Sequence, residues 1–108
     1  MRYLISLGYG IKGRNVRCQG GEIDIVAYDP REGELVFVEV KSRSSRIFGW
    51  PEESVDARKR RRLRHAANIY LVRNAQGFRH YRFDIVALEM DYGKGKARVM
   101  HYKNIDIG

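Results

Sequence analysis

The sequence lacks most of the features that would set it apart from an ordinary soluble domain. No apolar run approaches the roughly 20 residues a helix needs to cross a bilayer, so no membrane-spanning segment is expected. The single cysteine, Cys18, excludes an internal disulfide framework and a thiolate cluster for zinc. No charged-then-apolar secretory segment opens the chain, which makes the cytoplasm the expected compartment. Repeats, low-complexity segments and an evident linker are also missing, and 108 residues suffice for one hydrophobic core but not two. A single domain over residues 1–108 is therefore expected.

Negative charge is scarce as well. Thirteen Asp and Glu stand against 21 Lys and Arg, giving a net charge of +8 and a pI near 9.9. Such a balance favours anionic partners through steering and counterion release, with nucleic acid first among them. A merely soluble basic protein could share this composition, so the charge has to be read together with motifs.

Hydrophobic periodicity and turn residues divide the chain into elements. Arg2–Leu7 reads as the tail of a helix closed by Gly8 and Gly10, and Ile11–Arg17 as a short strand. After the Gly20-Gly21 turn, Glu22–Tyr28 is a strand by β-branched content, and Asp29–Gly33 is a turn by composition. Glu34–Lys41 is apolar on both faces at its start, which predicts a central strand in a sheet covered on both sides. Ser42–Glu53, with Gly49, Trp50 and Pro51, reads as a loop. Asp56 is the expected N-cap of a helix reaching about Arg73 and ending by Asn74–Gly77. Its core face is Leu63, Ala66, Ala67, Tyr70 and Leu71. Tyr81–Leu88 and Ala97–Tyr102 are the remaining strands, joined by a turn over Asp91–Lys96. This order predicts an α/β sandwich: a mixed sheet with a crossover helix on one side and the first helix as a partner layer.

The chemistry-bearing residues lie on two adjacent strands. In a regular pleat Glu22 and Asp24 share one face, with Ile23 and Ile25 on the other; Glu39 and Lys41 likewise oppose Val36, Val38 and Val40. With the hairpin turn centred between Arg31 and Glu32, Asp24 falls across from Glu39 and Glu22 across from Lys41. Two carboxylates about 5 Å apart at Cβ can share one hard cation such as Mg²⁺ or Mn²⁺. Without a cation or Lys41 they would repel each other. Together they suit phosphodiester hydrolysis, with Lys41 orienting the attacking water or stabilising developing charge.

The runs Gly21-Glu-Ile-Asp24, Val38-Glu-Val-Lys41 with Ser42 and Arg43, and Arg82-Phe-Asp84 resemble the YraN family of bacterial proteins, over about Tyr3 to Tyr102. Asn15, Arg17, Gly49 and Lys59 also fit its pattern. That family is similar to archaeal Holliday-junction resolvases and, more distantly, to the PD-(D/E)xK restriction-enzyme superfamily. Their metal-binding Asp and Glu-x-Lys correspond by motif to Asp24, Glu39 and Lys41. The resemblance implies a restriction-endonuclease-like fold and an Mg²⁺-dependent endonuclease acting on structured or branched DNA, with a homodimer favoured where two symmetric cuts are needed. Family members usually carry a Gly-Glu step in the first helix whose Glu resembles an additional active-site acid. The present chain starts after it, so its first helix is expected to be truncated. The end departs too, with Asn104-Ile-Asp-Ile in place of an Asn-Ala-Phe-like finish.

Around this core, Glu22 is either a supporting acid or the ordinary partner of Lys41 or Arg17. Arg43, Lys59, Arg58 and Arg62 are candidate nucleic-acid contacts, within a basic run that extends to Arg64. That run occupies the positive end of a helix dipole, where positive charge is slightly unfavourable and so points to a use. Phe48 and Trp50 are equally base-stacking residues or loop anchors. Arg82 and Asp84 read as a structural ion pair, His65, His80 and His101 as incidental, and Cys18 as inert. Two other functions fit the same residues: a nucleic-acid-binding module of this fold without hydrolysis, and an interaction protein whose basic helix holds an acidic partner.

Overall fold

A computed structural model describes residues 1–44, 57–74, 80–91 and 93–107. Within them the chain forms α1 (Arg2–Ser6), β1 (Gly10–Cys18), β2 (Gly21–Asp29), β3 (Glu34–Ser44), α2 (Ala57–Asn74), β4 (Tyr81–Asp91) and β5 (Lys96–Tyr102). The five strands make one sheet in the order β1-β2-β3-β4-β5. Neighbours are antiparallel except β3 and β4, which run parallel and are bridged in sequence by α2. This is the expected α/β architecture, a mixed sheet with two helices. The expected N-cap Asp56, the loop residues Phe48, Gly49, Trp50 and Pro51, and Gly77 lie outside the described residues.

The doubly apolar start of β3 explains the layering. Val36 and Val38 join Leu4 of α1, Tyr9, Ile25, Ala27 and Val86 in one cluster. Leu35 and Phe37, alternating with them, join Ile23, Val26 and the α2 residues Ala66 and Ala67 in the other. β3 is thus buried on both faces, as its composition requires. Phe37 anchors the second layer, with its ring centroid 5.4 Å from Phe83 and 5.9 Å from Tyr70. Burial of one such side chain contributes about 1.5–3 kcal/mol. The helix face predicted from spacing is the one observed: Leu63, Ala66 and Ala67 are buried, while Tyr70 and Leu71 pack partly buried against the cluster.

α2 passes close against the sheet at Gly21. A Cβ on Gly21 would lie 2.5 Å from the Arg62 carbonyl oxygen and 2.9 Å from the Ala66 Cβ. Its neighbour Gly20 supplies the turn, with φ of +86°. The glycine pair therefore serves two needs: a left-handed backbone first, then room for a helix.

On the α1 side a polar network is sealed into the sheet. Arg82 is 5% exposed, and its guanidinium donates to Asp84 Oδ1 at 3.0 Å, Asp29 Oδ2 at 2.9 Å, Glu34 Oε1 at 3.3 Å and Tyr9 Oη at 2.8 Å. Asp84 Oδ1 also accepts from the Asn104 N–H, and its Oδ2 lies 2.7 Å from His101 Nε2. The other imidazole nitrogen, Nδ1, is 3.1 Å from Tyr3 Oη. The Arg82–Asp84 ion pair is structural, as expected. His101 is not incidental: it links α1, β4 and β5.

Burial pushes the Asp29 and Asp84 carboxyls upward, but hydrogen bonds outweigh it and hold both below the ordinary carboxylate value of 3.8. For Asp84 these come from His101, Arg82 and the Asn104 N–H; for Asp29, from Arg82 and the N–H groups of Arg31 and Glu32. A carboxylate with a depressed folded value stabilises the fold fully above its unfolded value and loses that contribution as pH falls through the folded one. Arg82→Met strands several buried carboxylates and is expected to cost about 3–5 kcal/mol in urea denaturation at neutral pH. Its deficit relative to wild type should shrink below about pH 4 as the acids become protonated. A deficit that stayed constant with pH would show that Arg82 acts through packing alone.

Candidate functional site

The site forms where the β2–β3 ladder stops. Its register is the expected one from Asp29↔Glu34 through Ile25↔Val38, and there it ends. Asp24 and Glu39 therefore do not form a ladder pair. Instead the Val40 N–H donates to Asp24 Oδ2 at 2.8 Å, so a side-chain carboxylate stands in for the missing backbone acceptor. Glu22 does not sit across from Lys41 either. It pairs with Arg17 of β1 in register, 3.5 Å between side chains.

The pleat also breaks at Asp24. The β1–β2 register passes from Arg14↔Ile25 to Val16↔Ile23 without pairing Asn15 to Asp24, and Asn15 has φ of +48°. As a result Ile23 packs on the α2 side and Ile25 on the α1 side, against the expectation that both share one face. An unbroken strand could not do this, since residues two apart share a face. The break gives Asp24 access to both sides of the sheet. A cavity of about 260 Å³ toward α2 is lined by Glu22, Asp24, Glu39, Lys59, Arg62 and Leu63. A second, of about 370 Å³, is lined by Met1, Arg14, Asn15, Asp24, Ile25 and Val40.

Glu39 alternates with Phe37 and so points toward α2, with its side chain 10% exposed. Two ammonium groups meet one of its oxygens: Lys59 Nζ at 2.5 Å and Lys41 Nζ at 3.3 Å from Oε1. Lys59 reaches it from the first turn of α2. It lies four residues before Leu63 and seven before Ala66, on the face that packs on the sheet.

The electrostatics are strained. Burial raises the Asp24 carboxyl above its ordinary value; the Val40 N–H opposes this, and the Glu39 carboxyl, within hydrogen-bonding reach, adds to it. Lys41 is lowered by burial and by the Lys59 ammonium beside it, which outweigh Glu39. Lys59 loses by burial but is raised by its hydrogen bond to Glu39. Displaced values of both signs on neighbouring groups make this cluster the candidate functional site.

Asp24, Glu39, Lys41 and Lys59 are thus brought together, with Glu22 and Arg62 on the cavity wall. Arg58 is exposed near the start of α2, and Arg43 lies in β3 in register with Glu89. Arg64 is engaged elsewhere: its Nη2 donates to the Ile107 carbonyl at 2.9 Å. Among the described residues, no group of three or more His, Cys, Asp or Glu side chains could hold a metal ion. What the protein offers is a pair of carboxylates, which suits a hard cation completed by water and not an enclosed zinc-type centre. The Asp24 link to the Val40 N–H, the break at Asn15 and the close approach at Gly21 were not foreseen. Gly21 left a sequence signal, a second glycine where one would have made the turn, and Asn15 a weaker one, as a residue type tolerant of positive φ.

The fold and site define an α/β domain with a paired-carboxylate, paired-lysine cleft at a sheet opening. The chain belongs to the Uncharacterised protein family UPF0102, whose sequence profile matches residues 1–88. It is 43% identical over 104 residues to a UPF0102 protein of Desulforamulus reducens, covering 95% of this chain and 84% of that one. A UPF0102 protein of Moorella thermoacetica is 52% identical over 88 residues, covering 82% of this chain and 72% of that one. One from Solibacter usitatus is 51% identical over 89 residues, with coverage of 81% and 66%. No helix among the described residues is long and apolar enough to cross a membrane.

An acid raised in the folded state destabilises the fold when ionised, and that penalty disappears as pH falls toward its unfolded value. Asp24→Asn keeps an acceptor for the Val40 N–H and removes the charge. Without divalent cations it is expected to raise the melting temperature at pH 7 by a few degrees, with the gain fading toward pH 4. A lower melting temperature at pH 7 would contradict the charge conflict. Gly21→Ala should lower it by several degrees, because the Arg62 carbonyl cannot retreat without moving α2.

Proposed function

We propose that the protein is a divalent-cation-dependent endonuclease of the restriction-endonuclease-like type, hydrolysing phosphodiester bonds in structured or branched DNA. The observation that carries the reading is the Asp24–Glu39 carboxyl pair, with Lys41 and Lys59 on the same Glu39 oxygen. Asp24 and Glu39 would hold Mg²⁺ or Mn²⁺, which supplies Lewis-acid polarisation of a phosphoryl oxygen and activation of water when bound. The side chains do the rest. Lys41, its ammonium lowered by burial, can donate to a non-bridging oxygen and hold the attacking water in line. Arg62 on the cavity wall and Arg58 beyond it attract the backbone phosphates, with Arg43 a further candidate at the end of β3. The net charge of +8 supports the long-range component of that attraction. A homodimer fits paired cuts in a branched substrate.

One observation favours a second reading, a nucleic-acid-binding module of the same fold without hydrolysis. Lys59 and Lys41 by themselves neutralise Glu39. A panel of branched, nicked, flapped and single-stranded DNA and RNA with Mg²⁺ or Mn²⁺ separates the two. Cleavage of branched DNA is expected, with Asp24→Asn, Glu39→Ala and Lys41→Ala each reducing the rate about 10²-fold or more. Equal cutting by wild type and the Glu39 and Lys41 variants would show that the chemistry lies elsewhere. Binding without cutting would leave the second reading. Affinity for DNA should fall steeply with salt, and Arg62→Ala should flatten that slope by about one unit. Binding confined to acidic proteins would count against both.

A further inference from the structure

Lys59 sits on one of the two carboxylates that the proposed cation would use. Its ammonium lies 2.5 Å from Glu39 Oε1, an oxygen of the carboxylate pair, and Lys41 approaches the same oxygen at 3.3 Å. A carboxylate oxygen has about two lone-pair directions, and both are already committed. Glu39 is nearly buried, so water has little room to replace either contact. The two lysines differ in how they could leave. Lys41 is carried by β3 two residues from Glu39, on the same face, and is fixed in its neighbourhood by the strand. Lys59 comes from a different element at the first turn of α2, on a flexible four-carbon stem, and it lines a cavity of about 260 Å³ into which the stem can swing.

We infer that Lys59 is a displaceable internal counter-ion: it neutralises Glu39 when no cation is bound, and a divalent cation that takes Glu39 Oε1 must expel it. The inference rests on the cation-site reading above. Its physical basis is that an ammonium and a divalent ion cannot share one buried oxygen at bonding distance without strong repulsion. Expulsion moves the ammonium into the cavity bordered by Arg62, where a substrate phosphate would lie, so cation loading would also raise the positive charge presented to the substrate. The coupling is reciprocal: whatever draws Lys59 toward the cavity tightens cation binding by the same factor.

Mn²⁺ binding to the intact chain, measured by calorimetry at fixed ionic strength, tests this with no recourse to activity. Lys59→Met is expected to bind Mn²⁺ about tenfold more tightly than wild type, because a charge-assisted contact no longer has to be broken. Arg62→Met removes one positive charge from the same cavity. Among the described residues Arg62 has no ion pair to Glu39, so its change should be at most about twofold. Equal gains in the two variants would mean that Lys59 acts only through the general field, which overturns the inference and leaves the cation site standing. If neither wild type nor variants bind Mn²⁺ in a manner abolished by Asp24→Asn, both the inference and the cation-site reading fall. A second measurement needs no variant at Lys59: amine-reactive labelling of wild type read by mass spectrometry. Saturating Mn²⁺ should increase modification of Lys59 several-fold and leave the exposed Lys12 unchanged. Labelling of Lys59 that does not respond to saturating Mn²⁺ overturns the exchange.

Discussion

The hydrogen bond from the Val40 N–H to the Asp24 carboxylate is the contact on which the site depends. The β2–β3 ladder ends at Ile25↔Val38, and the backbone donors beyond it that point across the gap, Val40 N–H among them, have no ladder partner there, although β3 stays paired to β4 and β2 to β1. A buried N–H without an acceptor costs about 1–3 kcal/mol, so the strands can diverge only if something else accepts. Asp24 does so from the strand that has been left behind. The geometry then has an unavoidable consequence: a carboxylate bonded to the Val40 N–H lies beside Glu39, the preceding residue. The sheet opening and the clash of carboxylates are one event, and the two lysines on Glu39 keep it tolerable.

The domain contains two clusters of buried charge, and they differ in sign of strain. Around Arg82, burial of Asp29 and Asp84 is more than offset by donors, and both carboxyls titrate below their ordinary range. Around Glu39 the Asp24 carboxyl is raised and Lys41 lowered, so burial there disfavours both charged forms. A network whose carboxylates are held by several donors each is a rigid support; one in which the charged forms are disfavoured is suited to accept another ion. β3 runs through both, since its Glu34 touches Arg82 of β4 and its Glu39 stands five residues further along, where β4 pairs beside it. The satisfied cluster fixes the strand whose far portion carries the unsatisfied one.

Most of the fold could be read from the sequence because its signals were local. The doubly apolar start of β3, the Leu63-Ala66-Ala67 spacing in α2 and the turn residues after Asp29 each report on one element at a time. The hairpin register followed from the turn and holds through Ile25↔Val38. What could not be read was where regularity stops. Extending an ideal ladder put Asp24 opposite Glu39 and Glu22 opposite Lys41, whereas the real strands diverge just before that pair, at a residue whose own side chain compensates for the separation. Period-two reasoning assumes an intact pleat, so it fails at Asp24, where Asn15 adopts a left-handed backbone. His101 escaped for a related reason: its partners Asp84 and Tyr3 are distant in sequence, and no spacing rule reports contacts of that kind.

The placement of α2 follows from the same opening. Its first two turns carry Arg58, Lys59, Arg60, Arg61 and Arg62, a concentration of positive charge that the helix dipole disfavours. No acidic residue in the first turn relieves it. The relief comes from the sheet: Gly21 lets the helix come close enough for Lys59 to reach Glu39, and the negative wall of Glu22, Asp24 and Glu39 faces the basic turns across the cavity. Helix and strands therefore correct each other's electrostatic faults, the carboxylates lacking a cation and the helix end lacking anions. A phosphate near Arg62 and a cation at Asp24 and Glu39 would meet both needs separately, and the single Lys59–Glu39 contact satisfies them together. Because that contact is an ion pair lining a cavity and neither partner belongs to the apolar clusters, it can be exchanged without disturbing the buried layers on either side of β3.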